Sequence, residues 1–313
     1  MSTLEPFIRR RPPPEALRWV ERAAGRGARI TSIRRLRGGT SSAVHAVNLR
    51  DARGTLHRLV LRRFVRAGWL ALEPDLAERE ARVLRLLERS PVPAPQLVAV
   101  DERGRECDVP SVLMTRLPGR VDFTPDDVTS WLDQLAAVLP AIHAVDGGAR
   151  EVVQPYSTYY DMQAIEGPAW SEDRSAWEQA IAIVRGPAPA TTRCFIHRDY
   201  HPANVLWTRG RLTGVIDWIN ASWGPPEIDV GHCRKDLSIV FGVETADRFL
   251  QAYRSLTGAD HHPYWDLLCL LDSGFLSGSG IFEGWAELGL KGLTPRLMRQ
   301  RLDEYVRSVL ARL

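Results

Sequence analysis

The run Cys194-Phe-Ile-His-Arg-Asp-Tyr-His-Pro-Ala-Asn-Val-Leu-Trp207, followed by Gly214-Val-Ile-Asp-Trp218, constrains this chain more than any other feature. Residues 205–207 and 212–216 are short apolar runs of β-prone residues, and Thr208-Arg-Gly-Arg211 between them is a turn carrying glycine. Two antiparallel strands joined there bring Asn204, just before the first, close to Asp217, just after the second. Both side chains then sit at the open end of one hairpin. One charged and one neutral oxygen donor suit a magnesium ion that keeps waters and takes the rest of its shell from phosphates. Asp199 lies on the loop leading in, five residues before Asn204. A carboxylate there can orient a hydroxyl and accept its proton. Together the three suit phosphoryl transfer from a magnesium nucleotide to a hydroxyl. The rings of His197 and His201 read as hydrogen-bonding braces of the same loop.

Residues 30–62 read as three strands, at 30–33, 43–49 and 56–62, with Arg37-Gly-Gly-Thr-Ser-Ser42 between the first two. Gly38 and Gly39 let the backbone approach phosphate oxygens without a side-chain clash, and Ser41 and Ser42 can add hydroxyl donors. Residues 75–90 read as a helix whose stripe is Leu76, Val83, Leu84 and Leu87. Glu80 falls on that stripe, four residues from both Leu76 and Leu84, whereas Glu78 points to the wet face. A carboxylate on a buried stripe is costly without a cation, and Arg62, at the end of the third strand, is the candidate partner. Prolines at 91, 93 and 95 end the helix. Strands follow near 96–100 and 110–114, and Thr115-Arg-Leu-Pro-Gly119 is a stiff linker.

The pattern His197-x-Asp199-x-x-x-x-Asn204, with Asp217 thirteen residues on, resembles the catalytic loop and metal-binding Asp of the aminoglycoside phosphotransferase and choline kinase-like family, within the protein-kinase-like superfamily. His201-Pro-Ala-Asn204 is similar to the His-Pro-Gly-Asn of the antibiotic-kinase branch, with Ala203 for Gly. The run Asp217-Trp-Ile-Asn-Ala-Ser-Trp-Gly-Pro-Pro-Glu-Ile-Asp229 also resembles that branch, in which the second Asp braces the catalytic loop. The resemblance implies an α+β, bilobal protein-kinase-like fold. A small N-terminal antiparallel sheet lobe would carry one main helix, and a larger C-terminal lobe would be mostly helical. It implies an N-terminal extension at 1–29, a nucleotide-binding lobe at 30–117 and a catalytic and acceptor-binding lobe at 118–313.

By the same resemblance Asp199 is the base, and Asn204 and Asp217 hold Mg2+. Gly38, Gly39, Ser41 and Ser42 approach the phosphates of ATP or GTP, Arg62 paired with Glu80 positions them, and the backbone around Met114 and Arg116 meets the nucleobase. The family has Lys where this chain has Arg62. Arginine keeps the charge and can grip carboxylate and phosphate together, though with a larger fork. The acceptor is then a small hydroxylated molecule: an aminoglycoside-like antibiotic, an amino alcohol or a sugar. The alternative is a non-catalytic nucleotide-binding module, a pseudokinase acting through a partner, for which Arg62 is the only sequence support. No Asp-Phe-Gly or Ala-Pro-Glu pattern points to a protein kinase.

In the second half, Thr124-Pro-Asp-Asp127 reads as a helix start, and Val128, Trp131, Leu132, Leu135, Leu139 and Ile142 make a core stripe with His143 near its end. Residues 147–192 are punctuated by Pro and Gly, with helical patches. Further helices are expected at 231–240, 244–256, 264–271 and 295–310. Candidates to line an acceptor cleft are Asp236, Asp266, Asp272, Glu283 and Glu287, with Tyr264, Trp265, Phe282 and Trp285 as flat walls.

The 313 residues suffice for two domains, and a formal charge of +3 does not suggest nucleic-acid binding. Of 41 Lys and Arg residues only Lys235 and Lys291 are lysine, leaving 39 arginines. The four cysteines form no C-x-x-C pair, which suits free thiols in a reducing compartment. No apolar run reaches the length of a membrane span, so a cytoplasmic enzyme without membrane contact is expected.

Overall fold

The computed structural model describes residues 5–39, 41–277 and 283–313. The chain forms two compact units: residues 1–118 with 214–219 and 283–289, and residues 119–213 with 220–282 and 290–313. In chain order the first stretch contributes α1 (Glu5–Arg9), α2 (Pro14–Ala23), β1 (Arg29–Arg35), β2 (Ala43–Arg50), β3 (Leu56–Arg63), α3 (Ala67–Leu72), α4 (Leu76–Leu87), β4 (Leu97–Asp101) and β5 (Ser111–Thr115). The remainder contributes α5 (Val128–His143), α6 (Ala149–Val152), β6 (Gln154–Pro155), α7 (Arg174–Arg185), β7 (Cys194–Ile196), β8 (Val205–Thr208), β9 (Arg211–Val215), β10 (Ser222–Gly224), α8 (Glu227–Phe241), α9 (Val243–Thr257), α10 (Pro263–Leu271), α11 (Glu283–Glu287) and α12 (Pro295–Leu310). The expected α+β, kinase-like plan of an antiparallel sheet followed by helices is the one observed.

In the first unit, five strands pair antiparallel in the order β1-β2-β3-β5-β4. Strand residues alternate between faces, and this sorts β3 into two roles. Leu59 and Leu61 join Val47, Leu49 and Leu113 in a core with Ala16, Trp19 and Val20 of α2. Helix α2 is therefore packed against the sheet. Arg62, on the opposite face, meets α4 through Glu80. The buried stripe of α4 comprises Leu76, Ala77, Glu80, Ala81, Val83, Leu84 and Leu87, which includes every position read from the helical period.

The second unit is mostly helical. Helix α5 begins one turn later than Thr124 suggests. Asp127 caps it, its side chain accepting from Ser130 N, and a carboxylate is favoured at that positive end. Trp131, Leu132, Leu135, Leu139 and Ile142 are buried, and Trp131 packs on Trp207 with ring centroids 5.8 Å apart. β7 pairs with β10, which also pairs with β6, and β8 and β9 form the expected hairpin. All four cysteines are free thiols. No described helix is long and apolar enough to cross a membrane.

Candidate active site

In the first unit, the end of β3 presents Arg62 to three partners. Its Nε donates to Ser42 Oγ at 2.9 Å, and Nη1 donates to Glu80 Oε1 and to Asp217 Oδ1, both at 2.7 Å. The Arg62 and Glu80 side chains are 6% and 2% exposed, whereas Asp217 is 33% exposed. Burial raises the Glu80 carboxyl despite the attraction of Arg62. Burial opposes the charge on Arg62 too, but the two carboxylates outweigh it and the guanidinium stays protonated. Two carboxylates against one guanidinium leave one net negative charge, and Glu80 Oε2 has no hydrogen-bond partner among the described residues. Asp217 adopts φ 67°, a left-handed conformation that Asp tolerates better than most residues. It presents a hard oxygen donor in a negative surrounding, which fits a magnesium ligand.

The glycine loop of the same unit is held by a distant segment. Gly38 N donates to Glu287 Oε2 at 3.1 Å, and Arg35 and Arg9 pair with the same carboxylate at 2.8 and 3.3 Å. Gly38 has φ +91°, a conformation that favours glycine, and a Cβ there would lie 2.7 Å from Leu288 Cδ2. At Gly39 a Cβ would lie 3.1 Å from Ser42 O. Ser41 is half-buried; Ser42 is buried, and its oxygen is engaged by Arg62. Met114 is buried in β5, and the Arg116 amide donates to Arg58 O at 2.9 Å.

In the second unit, the loop from β7 to β8 is fixed mainly through its backbone. Asp229, fully buried at the start of α8, accepts His197 N at 2.9 Å, Arg198 N at 2.7 Å and His143 Nε2 at 3.1 Å. Arg198 is left-handed at φ 68°, a conformation those bonds hold in place. His197 is fully buried, and its Nδ1 accepts the Asp199 amide at 3.3 Å. Asn204 Nδ2 donates to Asp199 O at 2.9 Å and to Oδ2 at 3.3 Å. That spends the amide nitrogen of Asn204 and leaves its oxygen as the metal-binding end. The Asp199 carboxylate remains 28% exposed, so a hydroxyl can reach it.

Several acceptor-cleft expectations do not hold. Asp266 is fully buried, with Arg234 Nε at 3.1 Å, His261 Nε2 at 2.8 Å and Arg312 as partners, and it knits the helices together instead. Tyr264 and Trp265 are core residues, and Trp285 is 2% exposed. Glu287 binds the glycine loop. Phe282 and the Glu283 side chain lie outside the described residues. Among the described residues of the second unit, Tyr159 and Tyr160 are exposed instead, and their amides donate to Asp272 Oδ1 at 2.6 and 3.1 Å. Arg198 lies 3.8 Å over the Tyr159 ring. Burial pushes the Asp272 carboxyl up to about 6. Asp236 is buried beside His201, His232 and Lys235. Sequence reading missed His232, although its i, i+4 spacing from Asp236 on one helix was visible.

The family model for APH, described as phosphotransferase enzyme family, matches residues 32–268. A segment of 68 residues, 22% of this chain, is 32% identical to an N-acetylmuramate/N-acetylglucosamine kinase of Neisseria meningitidis serogroup B. The match spans only 20% of that kinase's length. Among solved structures, a thermostable mutant of the aminoglycoside phosphotransferase APH(4)-Ia, in complex with ADP and hygromycin B, is similar with TM-score 0.61 and 18% identity over 94% of this chain and 98% of that one. The macrolide 2'-phosphotransferase MphH of Brachybacterium faecium is similar with TM-score 0.57 and 21% identity, again over 94% and 98% of the two chains.

Proposed function

This chain belongs to the phosphotransferase enzyme family, and from that premise we propose that it transfers the γ-phosphoryl group of ATP or GTP to a hydroxyl of a small molecule. The observation that carries the reading is the posture of Asp199. Its backbone is held by His197 and Asn204 while its carboxylate stays accessible. Asp199 orients the acceptor hydroxyl and takes its proton. The acceptor oxygen forms a bond to the γ-phosphorus as the bond from phosphorus to the bridging oxygen breaks, leaving a phosphate ester and a nucleoside diphosphate.

Asn204 and Asp217 would hold Mg2+, which supplies charge neutralisation at the phosphates. Arg62, fixed by Glu80 and Ser42, positions the phosphates, and the loop of Gly38, Gly39, Ser41 and Ser42 cradles them. The segment at Met114 and Arg116 receives the nucleobase. Because the Arg116 amide is spent on Arg58 O, carbonyl oxygens are the better candidates there.

Tyr159 and Tyr160 are exposed and Asp272 and Arg198 half-buried; as acceptor contacts, an aromatic face beside a carboxylate would suit a sugar or amino sugar. The kinase and antibiotic phosphotransferases named above direct the choice of panel: amino sugars, aminoglycosides, macrolides and amino alcohols. We place the enzyme in the cytoplasm, without nucleic-acid or membrane partners. The test is nucleotide turnover with magnesium across that panel. An acceptor should stimulate turnover, and Asp199→Ala should lower it by about 10²-fold or more. Wild-type turnover in that variant would refute the role given to Asp199.

A further inference from the structure

Four groups on the catalytic loop and α8 face one another at spacings longer than direct hydrogen bonds between them; His201 also meets two N–H donors, its Nδ1 accepting the Ala203 amide at 3.3 Å and its Nε2 lying 3.2 Å from Asn204 Nδ2. Asp199 Oδ1 lies 3.5 Å from His232 Nε2 and 3.7 Å from His201 Nε2. Asp236 Oδ2 lies 3.7 Å from His232 Nε2 and 3.6 Å from His201 Nδ1. The two imidazoles are stacked, 5.6 Å apart and 13° from parallel. These separations exceed ordinary N–H···O distances of about 2.7–3.2 Å. Two ligands of a tetrahedral ion with bonds of about 2.0–2.1 Å lie roughly 3.3 Å apart. The carboxylate-to-imidazole spacings are thus slightly wider than those of a filled coordination shell and longer than direct hydrogen bonds. One ligand atom from each of Asp199, His201 and His232 lies within 4.8 Å of the other two.

The tautomer of His232 strengthens the point. Its Nδ1 is 3.1 Å from the carbonyl oxygen of Arg198. A carbonyl can only accept, so Nδ1 carries the hydrogen and Nε2 carries a lone pair. Burial, reinforced by Lys235, holds His232 in its neutral form. A lone pair then faces two carboxylates, a repulsive arrangement that Lys235 Nζ, 3.2 Å from Asp236 Oδ1, offsets at Asp236 and that a cation beside Asp199 would relieve. A histidine that anchors one ring nitrogen on a backbone carbonyl and directs the other inward is also the usual posture of a metal ligand.

We propose that Asp199, His201 and His232 form a second cation site, for a borderline transition metal such as Zn2+, with Asp236 as its outer carboxylate. Two imidazoles and one carboxylate select zinc, cobalt, nickel or copper, whereas magnesium prefers oxygen donors. Filling the site occupies Asp199, so the metal inhibits phosphoryl transfer. That consequence rests on the role proposed for Asp199; binding itself does not.

The experiment titrates the full-length, metal-free protein with Co2+ alone and reads its visible absorption. One Co2+ per chain should give the intense bands of a low-coordinate nitrogen–oxygen site, and Zn2+ should displace it. His232→Asn keeps a donor for the Arg198 carbonyl while removing Nε2, and should weaken Co2+ binding by about tenfold or more. If that variant does not fold by circular dichroism, Asp199→Asn removes the carboxylate ligand and should weaken binding likewise. No Co2+ spectrum, or equal affinity in a folded variant, overturns the site. Zn2+ inhibition of acceptor-stimulated turnover in excess magnesium, relieved in His232→Asn, supports the inhibitory consequence. Cobalt binding without zinc inhibition would keep the site and refute that consequence alone.

Discussion

Replacing Arg62 by Met removes the charge from the most buried ion pair of the first unit while keeping the aliphatic stem. Glu80, 2% exposed, would lose the cation it pairs with, and Ser42 Oγ would lose a donor. Breaking a buried pair from one side costs about 3–5 kcal/mol. Here the cost has a ceiling, because Glu80 can take up a proton instead. At pH 7 protonating a carboxyl of ordinary pKa about 4.3 costs roughly 3.7 kcal/mol, and at pH 5 about 1 kcal/mol. Burial already raises Glu80, and without Arg62 it rises further. The folded variant then binds a proton that the unfolded chain releases, so its stability falls as pH rises above the unfolded value. Because wild-type Glu80 is already raised, the loss relative to wild type should be at most about 3–4 kcal/mol at pH 7 and at most about 1 kcal/mol at pH 5. In urea, with a slope of about 2 kcal/mol/M, the midpoint should fall by at most roughly 1.5–2 M at pH 7 and by at most about 0.5 M at pH 5. Adding Glu80→Gln should abolish that pH dependence. A loss equal at the two pH values would mean that packing, not charge, sets the role of Arg62, and the argument would fail.

Asp229→Ala leaves the buried amides of His197 and Arg198 without their acceptor. At about 1–3 kcal/mol for each of these two groups, stability should fall by roughly 2–6 kcal/mol, and turnover of the folded fraction should drop at least tenfold as Asp199 shifts; unchanged turnover would show that the loop holds itself. Asp272, pushed up to about 6 by burial, contributes stability that is full below about pH 4 and is lost as pH rises through about 6. The stability difference between wild type and Asp272→Asn should therefore change by about 2 kcal/mol between pH 4 and pH 6 in paired urea titrations, and a flat difference would remove Asp272 from the buried, titrating groups.

Local chemistry was legible wherever it repeats over a few residues. The hairpin at Thr208–Arg211 followed from a glycine turn between β-prone runs, and the ends of α12 followed from Pro295 and the apolar period. Glu80 stood out because a carboxylate on a helical stripe contradicts its neighbours, and its burial against Arg62 resolved the contradiction. The start of α5 was misread because Thr124 and Asp127 are both good caps, and local preference alone does not choose between them.

What only the tertiary structure decided are contacts between residues far apart in the chain. Arg62 reaches Asp217 across 155 positions, and Glu287 reaches the Gly38 amide across 249. Asp229 braces the catalytic loop from 32 residues downstream of His197. Asp266 and Asp236 look alike in the sequence, but one is sealed among cations and the other faces two imidazoles. A chain specifies its turns and helix faces through neighbours a few residues apart. Which buried charge meets which partner depends on how separate elements pack, and no local period records that.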